Sequence, residues 1–333
     1  MESSRGITEA RLKTVLKRQE PPGWGRDYEP GIKATVDEAP PGSRPSTVWS
    51  SLLERHVHLL SLAERAVLMI ILYLARRVGL FDLHEQRMLP FNPARHPLAT
   101  HAKARGMALP SLRGTVAVAG ELGCLHFHPV IYEEVQDGED MLLSPNPFPM
   151  FGDFLLFLED DLGPWCVNHS VKDKRAEFFE PTINVTIKTN RARRKKKAAF
   201  RQAVEEILYL DGTIPTRLIA AEDIPPILTA NLSELILWTK RKSSLDDHKR
   251  SELLRALRAG LESGKSGIEV FSEQERVLSC TTNDLQVELH QAIWRHDLPV
   301  ELCDEYFFID QPMIPESRPV FDQFDHWFAR EVQ

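Results

Sequence analysis

Paired sulfur is missing from this chain. Its 333 residues hold four cysteines, Cys124, Cys166, Cys280 and Cys303, far apart and with no Cys-x-x-Cys spacing. That pattern fits buried thiols in a reducing compartment better than a disulfide framework. Long apolar runs are missing too. The longest, Ala66 to Ala75, sits between Arg65 and Arg76 and is too short to span a bilayer. The opening stretch MESSRGITEARLK has no apolar signal core, so a cytoplasmic protein is expected. An excess of positive charge is the third absence. A formal net charge of −7 argues against a protein that coats DNA indiscriminately and leaves room for a local basic face. What remains is an ordinary globular composition, 42% hydrophobic and 27% charged, on a chain long enough for two domains of roughly 200 and roughly 100 residues.

The most informative stretch is Met150 to Lys174. Two apolar runs, Phe154 to Leu158 and Trp165 to Val171, flank an acidic turn containing Gly163 and Pro164, which predicts two strands in a tight hairpin folded at Glu159 to Gly163. Asp153 opens the first strand and Lys172 closes the second, so the fold brings both to one end of the sheet. A carboxylate beside a lysine at a hairpin mouth resembles the metal-dependent phosphodiester-cleaving site of PD-(D/E)xK nucleases. There the carboxylate holds Mg²⁺, a hard ion that prefers oxygen, and the lysine positions the attacking water or offsets developing charge. A surface hairpin with charged ends is the plain alternative from these residues alone.

Taken in order, residues 7 to 18 predict a short amphipathic helix. Gly23-Trp24-Gly25-Arg26-Asp27-Tyr28-Glu29-Pro30 follows, then a Pro/Gly/Ser-rich stretch to Ser46. Thr47 to Leu60 reads as a hairpin with His56 and His58 on one strand face. Ser61 to Val78 is the clearest helix, opened by the capping box Ser61-Leu62-Ala63-Glu64, in which Glu64 reaches back to the cap. Leu80 to Leu83 reads as a strand, followed by His84-Glu85-Gln86.

The runs GWGRDYEPG, RHVHLLSLAE and FDLHEQRMLP, followed by GMALP, MFGDFLLFLEDD, SVKDK and EEILYLDGTIPTRLI, resemble TnsA in content and order over most of residues 7 to 225. TnsA is the endonuclease subunit of the heteromeric transposase of seven-type cut-and-paste transposons. The resemblance implies a metal-binding glutamate at Glu64, the aspartate of the TDF-like motif at Asp153, the lysine of the Gln-Val-Lys-like motif at Lys172, and an auxiliary glutamate at Glu205. Two positions depart from the family: Ser170 stands where it often has glutamine, and Asp173 where a proline often follows the lysine. The first departure matters little if position 170 contributes its backbone carbonyl to the metal.

Residues 111 to 149 look like an insertion. Cys124-Leu125-His126-Phe127-His128 alternates as a strand would, placing Cys124, His126 and His128 on one face; these are zinc-ligand types, but no fourth ligand is evident and the spacing matches no known finger. Pro145, Pro147 and Pro149 read as a stiff approach to the catalytic strand. The densest basic run, Arg191, Arg193, Arg194, Lys195, Lys196 and Lys197, enters the helix that carries Glu205, a position suited to DNA phosphates. Ile214 to Ala221 reads as the last strand before a boundary at Asp223-Ile224-Pro225-Pro226. Helices are predicted at Asn231 to Lys240, Asp246 to Glu262 and Asp284 to His296, with a strand-like Val300 to Ile309. The aromatic, acidic tail Asp322 to Phe328 reads as a docking peptide or a final packing turn.

The expectation is therefore an α/β restriction-endonuclease-like domain over 1–225, a mixed sheet flanked by helices, and a mainly α, winged-helix-like domain over 226–333. The resemblance implies an endonuclease dependent on Mg²⁺, with Mn²⁺ substituting, that cleaves the 5′ ends of a transposon while a TnsB-type recombinase processes the 3′ ends. Transposon-end DNA and, through the second domain, a TnsC-type ATPase regulator are the implied partners. The alternatives are a non-cleaving scaffold subunit and a stand-alone restriction or repair nuclease.

Overall fold

The computed structural model describes residues 7–137, 140–179 and 188–330, and leaves the side chains of 134–137, 140–142 and 188–195 undescribed. The chain divides into two compact units. Unit 1 comprises Met1–Arg65, Ala75–Glu222 and Arg330–Gln333; unit 2 comprises Ala66–Leu74 and Asp223–Ala329. Among the described residues no helix is long and apolar enough to cross a membrane.

Unit 1 is an α/β unit. It opens with α1 (Glu9–Gln19), capped by the Thr8 hydroxyl, and the hairpin of β1 (Ser46–Ser50) and β2 (Arg55–Leu59). Then come the start of α2 (Leu62–Leu74), whose residues from Ala66 belong to unit 2, the ten-residue β3 (Leu80–Leu89), and α3 (Thr115–Glu121). A two-stranded hairpin of β4 (Val130–Asp137) and β5 (Asp140–Pro147) precedes β6 (Met150–Asp160) and β7 (Gly163–Lys172). A 24-residue helix, α4 (Lys188–Asp211), crosses over to β8 (Thr216–Ala220). The four-stranded sheet runs β3-β6-β7-β8; the first three strands are antiparallel, and β8 lies parallel to β7. A parallel neighbour requires a crossover of a dozen residues or more, and α4 supplies it. Phe154, Leu155, Leu156, Phe157 and Leu158 are all buried, as an unbroken apolar run predicts for a strand covered on both faces.

The segment Cys124 to His128 is not a strand. The Cys124 amide donates to the carbonyl of Ala119, and a 3₁₀ turn follows at Leu125–Phe127. Local turn bonds after α3 have taken the amides that a ladder would need. Cys124 is half-buried, His126 exposed and His128 buried against Thr115, so the three share no face. Pro145 and Pro147 are likewise not a bare approach segment. They lie in β5, opposite Tyr132 and Val130, in a two-stranded ladder where a missing amide is tolerated on the outer edge.

Unit 2 is helical: α5 (Pro226–Leu235), α6 (Asp247–Glu262), α7 (Gly267–Leu278), α8 (Thr282–Trp294) and the short α9 (Val320–Phe324). The expected strand from Val300 to Ile309 is absent. Only Val300 pairs, in an isolated bridge with Pro315. Pro312 and Pro315 remove donors from the partner segment. The Glu301 carboxylate takes the amides of Cys303 and Ser317 at 2.8 and 3.1 Å, pulling the chain out of extended pairing. Phe324, Trp327 and Phe328 in the tail are buried, which makes it a packing turn.

Candidate active site

One cleft of unit 1, about 780 Å³ in volume, is lined by Glu64, Asp153, Ser170, Lys172, Lys197 and Glu205 together. Asp153 comes from β6 and Lys172 from β7, with Lys172 Nζ 3.6 Å from Asp153 Oδ2. The same carboxylate oxygen accepts the Val171 amide at 2.7 Å, which fixes its direction. Lys172 Nζ donates to the Val171 carbonyl at 2.8 Å and lies 5.7 Å from the centre of the Phe178 ring. The lysine is thus held at the cleft by a carbonyl, a carboxylate and an aromatic face.

Glu64 stands in the first turn of α2. The Ser61 hydroxyl accepts its amide at 3.1 Å and donates to its Oε1 at 3.0 Å, but its Oε2 reaches past the cap to the Leu60 amide at 2.8 Å. Cap and site are therefore the same arrangement: the helix start aims the carboxylate. Glu205 comes from α4, is 3% exposed and accepts from Asn168 Nδ2 at 3.0 Å. Burial pushes the Glu64 and Glu205 carboxyls up to about 7, and the charge of Asp153 adds to the shift in each. Lys196 is exposed and lies outside the cleft lining. The side chains of Arg191, Arg193, Arg194 and Lys195 lie outside the described residues, on a stretch whose backbone is part of α4.

Several further residues shape this site. Gln86, in β3, has φ +47° and donates from Nε2 to Glu64 Oε2 at 3.1 Å. A left-handed glutamine inside a strand costs free energy, and its surroundings hold it there. The Gly31 amide donates to the Gln86 carbonyl at 3.0 Å, and the neighbouring Tyr28 hydroxyl donates to the Glu85 carbonyl at 2.7 Å. A side chain at Gly31 would collide with the Phe151 ring. The GWGRDYEPG stretch is thus a clasp on β3, and it acts on the cleft through Gln86. On α4, Gln202 accepts from the Ser170 hydroxyl at 3.2 Å, and Arg201 donates to the Phe151 carbonyl at 2.5 Å. Helical spacing from Glu205 would have found both, since 201, 202 and 205 share a face.

No family model matches the chain, and no curated protein matches it.

Among the described residues no three His, Cys, Asp or Glu side chains are grouped closely enough to enclose a metal ion. The donors at the cleft are all oxygens, which suits a hard dication that keeps several waters and takes only one or two carboxylates. Two features fit such an ion. The Asn168 Oδ1 atom is buried without a hydrogen-bond partner. Gly152 lies close beside it, and an added Cβ there would stand a tight 3.1 Å from Glu205 Oε1 and 3.7 Å from Asn168 Oδ1, so a side chain would crowd both oxygens.

The raised carboxyls have a measurable consequence. An acid whose folded pKa exceeds its unfolded value binds its proton more tightly when folded, so stability falls as pH rises from about 4.5 to about 7 and stays low above that. For a fully buried group the loss is on the order of 3 kcal/mol. In chelator the melting temperature is expected to fall by several degrees between pH 5 and 7.5, and Mg²⁺ or Mn²⁺ should restore it at pH 7.5 far more than at pH 5. Glu205→Gln, which keeps an acceptor for Asn168, should raise the metal-free melting temperature at pH 7.5. A flat profile in calorimetry would remove this account of the two acids.

Proposed function

We propose that the chain is a Mg²⁺-dependent DNA endonuclease of the TnsA type, with unit 1 as a restriction-endonuclease-like catalytic domain. It cleaves the 5′ strands at transposon ends while a TnsB-type recombinase processes the 3′ strands. The observation that carries the reading is the meeting of Asp153 and Lys172 at 3.6 Å in a cleft that Glu64 and Glu205 also line, four residues drawn from β6, β7, α2 and α4.

Asp153 and Glu64 would hold the cation, with the Ser170 carbonyl as a further oxygen and Glu205 in support. When bound, the ion supplies Lewis-acid stabilisation of the charge that develops on the phosphoryl oxygens. Lys172, held by Val171 and Phe178, orients the attacking water and offsets negative charge on the phosphate. Water adds to phosphorus, the P–O3′ bond breaks, and a water proton passes to the departing oxygen, leaving a 5′-phosphate and a 3′-hydroxyl. Ser170 has its hydroxyl turned to Gln202, so its side chain is engaged away from the role its carbonyl would play.

In unit 2, helices α6, α7 and α8 with two antiparallel bridges, Ser266 (between α6 and α7) with Pro312 and Val300 with Pro315, support a winged-helix-like arrangement with a residual wing. The wing loop exposes Tyr306 and Phe308 among Asp304, Glu305 and Asp310. Acids there oppose phosphates and favour docking on a protein, as the TnsC-type regulator would require. Cytoplasmic action on DNA fits the reading.

The test is strand-resolved mapping of breaks at transposon ends with purified recombinase, regulator and Mg²⁺, comparing wild type with Lys172→Ala. Loss of the 5′-strand breaks alone is expected. Unchanged 5′ breaks would instead favour a non-cleaving scaffold, and cutting of a defined sequence without partners would favour a stand-alone nuclease.

A further inference from the structure

Gln86 holds a place in the sheet that a glutamine reaches only at a cost. Across β3 and β6, Glu85 faces Phe154 and Arg87 faces Gly152, which sets Gln86 opposite Asp153. The ladder passes over Gln86 itself, whose backbone is left-handed at φ +47°. Glycine takes that conformation without steric penalty, and asparagine tolerates it better than longer side chains do. The residue present is a glutamine, 3% exposed, that lines the cleft. A strained backbone kept at a site points to a use for the side chain it carries.

That side chain supplies a hydrogen-bond donor. Glu64 Oε2 accepts the Leu60 amide at 2.8 Å and Gln86 Nε2 at 3.1 Å, and Oε1 accepts the Ser61 hydroxyl at 3.0 Å. Leu60 and Ser61 are local to the helix start and accompany any capped helix of this kind. Gln86 comes from 22 residues further on. Among the described hydrogen bonds of Glu64, its donor alone comes from the sheet that also carries Asp153. Donors that fix a ligating carboxylate govern metal affinity nearly as strongly as the ligands themselves. Resting on the cation site of the nuclease reading above, we infer that Gln86 is a positioning residue. Its amide ties the Glu64 carboxylate to the strand facing Asp153, so that both acids serve one cation, and the left-handed backbone is retained because it aims that amide.

The test is Mn²⁺ binding to the full chain, followed by electron paramagnetic resonance, in a double-mutant cycle of Gln86→Met and Glu64→Gln. Methionine keeps the length of the side chain and the strain of the backbone and lacks the donor. Gln86→Met is expected to weaken Mn²⁺ binding about tenfold while melting in chelator close to wild type. Added to Glu64→Gln it should cause no further loss, because two residues acting through one group are not additive. Raising Mn²⁺ should restore 5′-strand cleavage by Gln86→Met, a change in metal requirement and not in maximal rate. Gln86→Asn, which suits the left-handed backbone and stops one methylene short of Glu64, should lose affinity in the same way. Wild-type Mn²⁺ affinity in both folded variants, or an equal loss in the Glu64→Gln background, overturns the inference. Intact Mn²⁺ binding without 5′ breaks in the wild type overturns the nuclease reading alone, and a wild type that binds no Mn²⁺ overturns both.

Discussion

Under the proposed nuclease function, Asp153→Asn is expected to leave 5′-strand breaks about 10³-fold below wild type, a loss of ~4 kcal/mol of transition-state stabilisation. The substitution is nearly isosteric. The amide oxygen can still accept the Val171 N–H that Asp153 accepts at 2.7 Å, so the hairpin end keeps its geometry. What disappears is the negative charge, and with it the ionic partner of Lys172 and the charge that would hold the proposed dication. Glu64→Gln should act in the same direction and less strongly, because Glu64 is already tied to Leu60, Ser61 and Gln86 and would share the proposed cation with Asp153. The check is quantification of both strands at the transposon ends with matched protein melting curves. Retention of 5′ breaks within tenfold of wild type, in an Asp153→Asn protein that melts normally, would remove Asp153 from the chemistry.

The second large effect concerns stability. Arg55→Met is expected to cost about 3–5 kcal/mol of folding free energy and to lower the melting temperature by about 10 °C. Arg55 and Glu85 form a two-pronged pair, both contacts at 2.8 Å, with side chains 7% and 0% exposed. Arg55 also donates to the carbonyls of Leu83 at 2.6 Å and Gly25 at 3.0 Å, and lies over the Tyr28 ring at 4.8 Å. Removing the guanidinium strands a buried carboxylate whose remaining donor is the His58 amide at 3.0 Å. The double variant Arg55→Met, Glu85→Leu should recover much of the loss, since breaking a buried pair costs more than replacing it with apolar bulk. Urea melts that place the single variant within 1 kcal/mol of wild type would show the pair to be energetically idle.

These two predictions also mark what the sequence made legible. Asp153 and Lys172 could be read directly, because a hairpin is local and its two ends are set by one turn. Glu64 was visible as the last residue of a capping box, although its carboxylate passes beyond the cap to Leu60. Gln86 was not legible. Its left-handed backbone is imposed by residues more than fifty positions earlier, through Gly31 and Tyr28, and nothing in Leu80 to Leu89 marks a strand with a kink. Cys124 to His128 misled for a related reason. Alternating side chains predict a strand only when the amides are free to pair, and here α3 and its following turn had captured them. The wing of unit 2 failed through Glu301, a lone acid whose capture of three backbone amides no local pattern announces.

The hairpin has a consequence for how the site comes into being. Joining β6 to β7 closes a loop of a few residues, so Asp153 and Lys172 meet as soon as that hairpin zips. Glu64 precedes Asp153 by about ninety residues, and bringing it in costs about 1 kcal/mol more in chain entropy than the nineteen-residue closure between Asp153 and Lys172. The Asp153–Lys172 half of the cleft therefore closes at the smaller entropic cost, and Glu64, tied to Gln86 of β3, is brought in by the larger closure. A chain still short of that closure carries the lysine and one acid without the second, so under the proposed nuclease function it is expected to be inactive while incompletely folded.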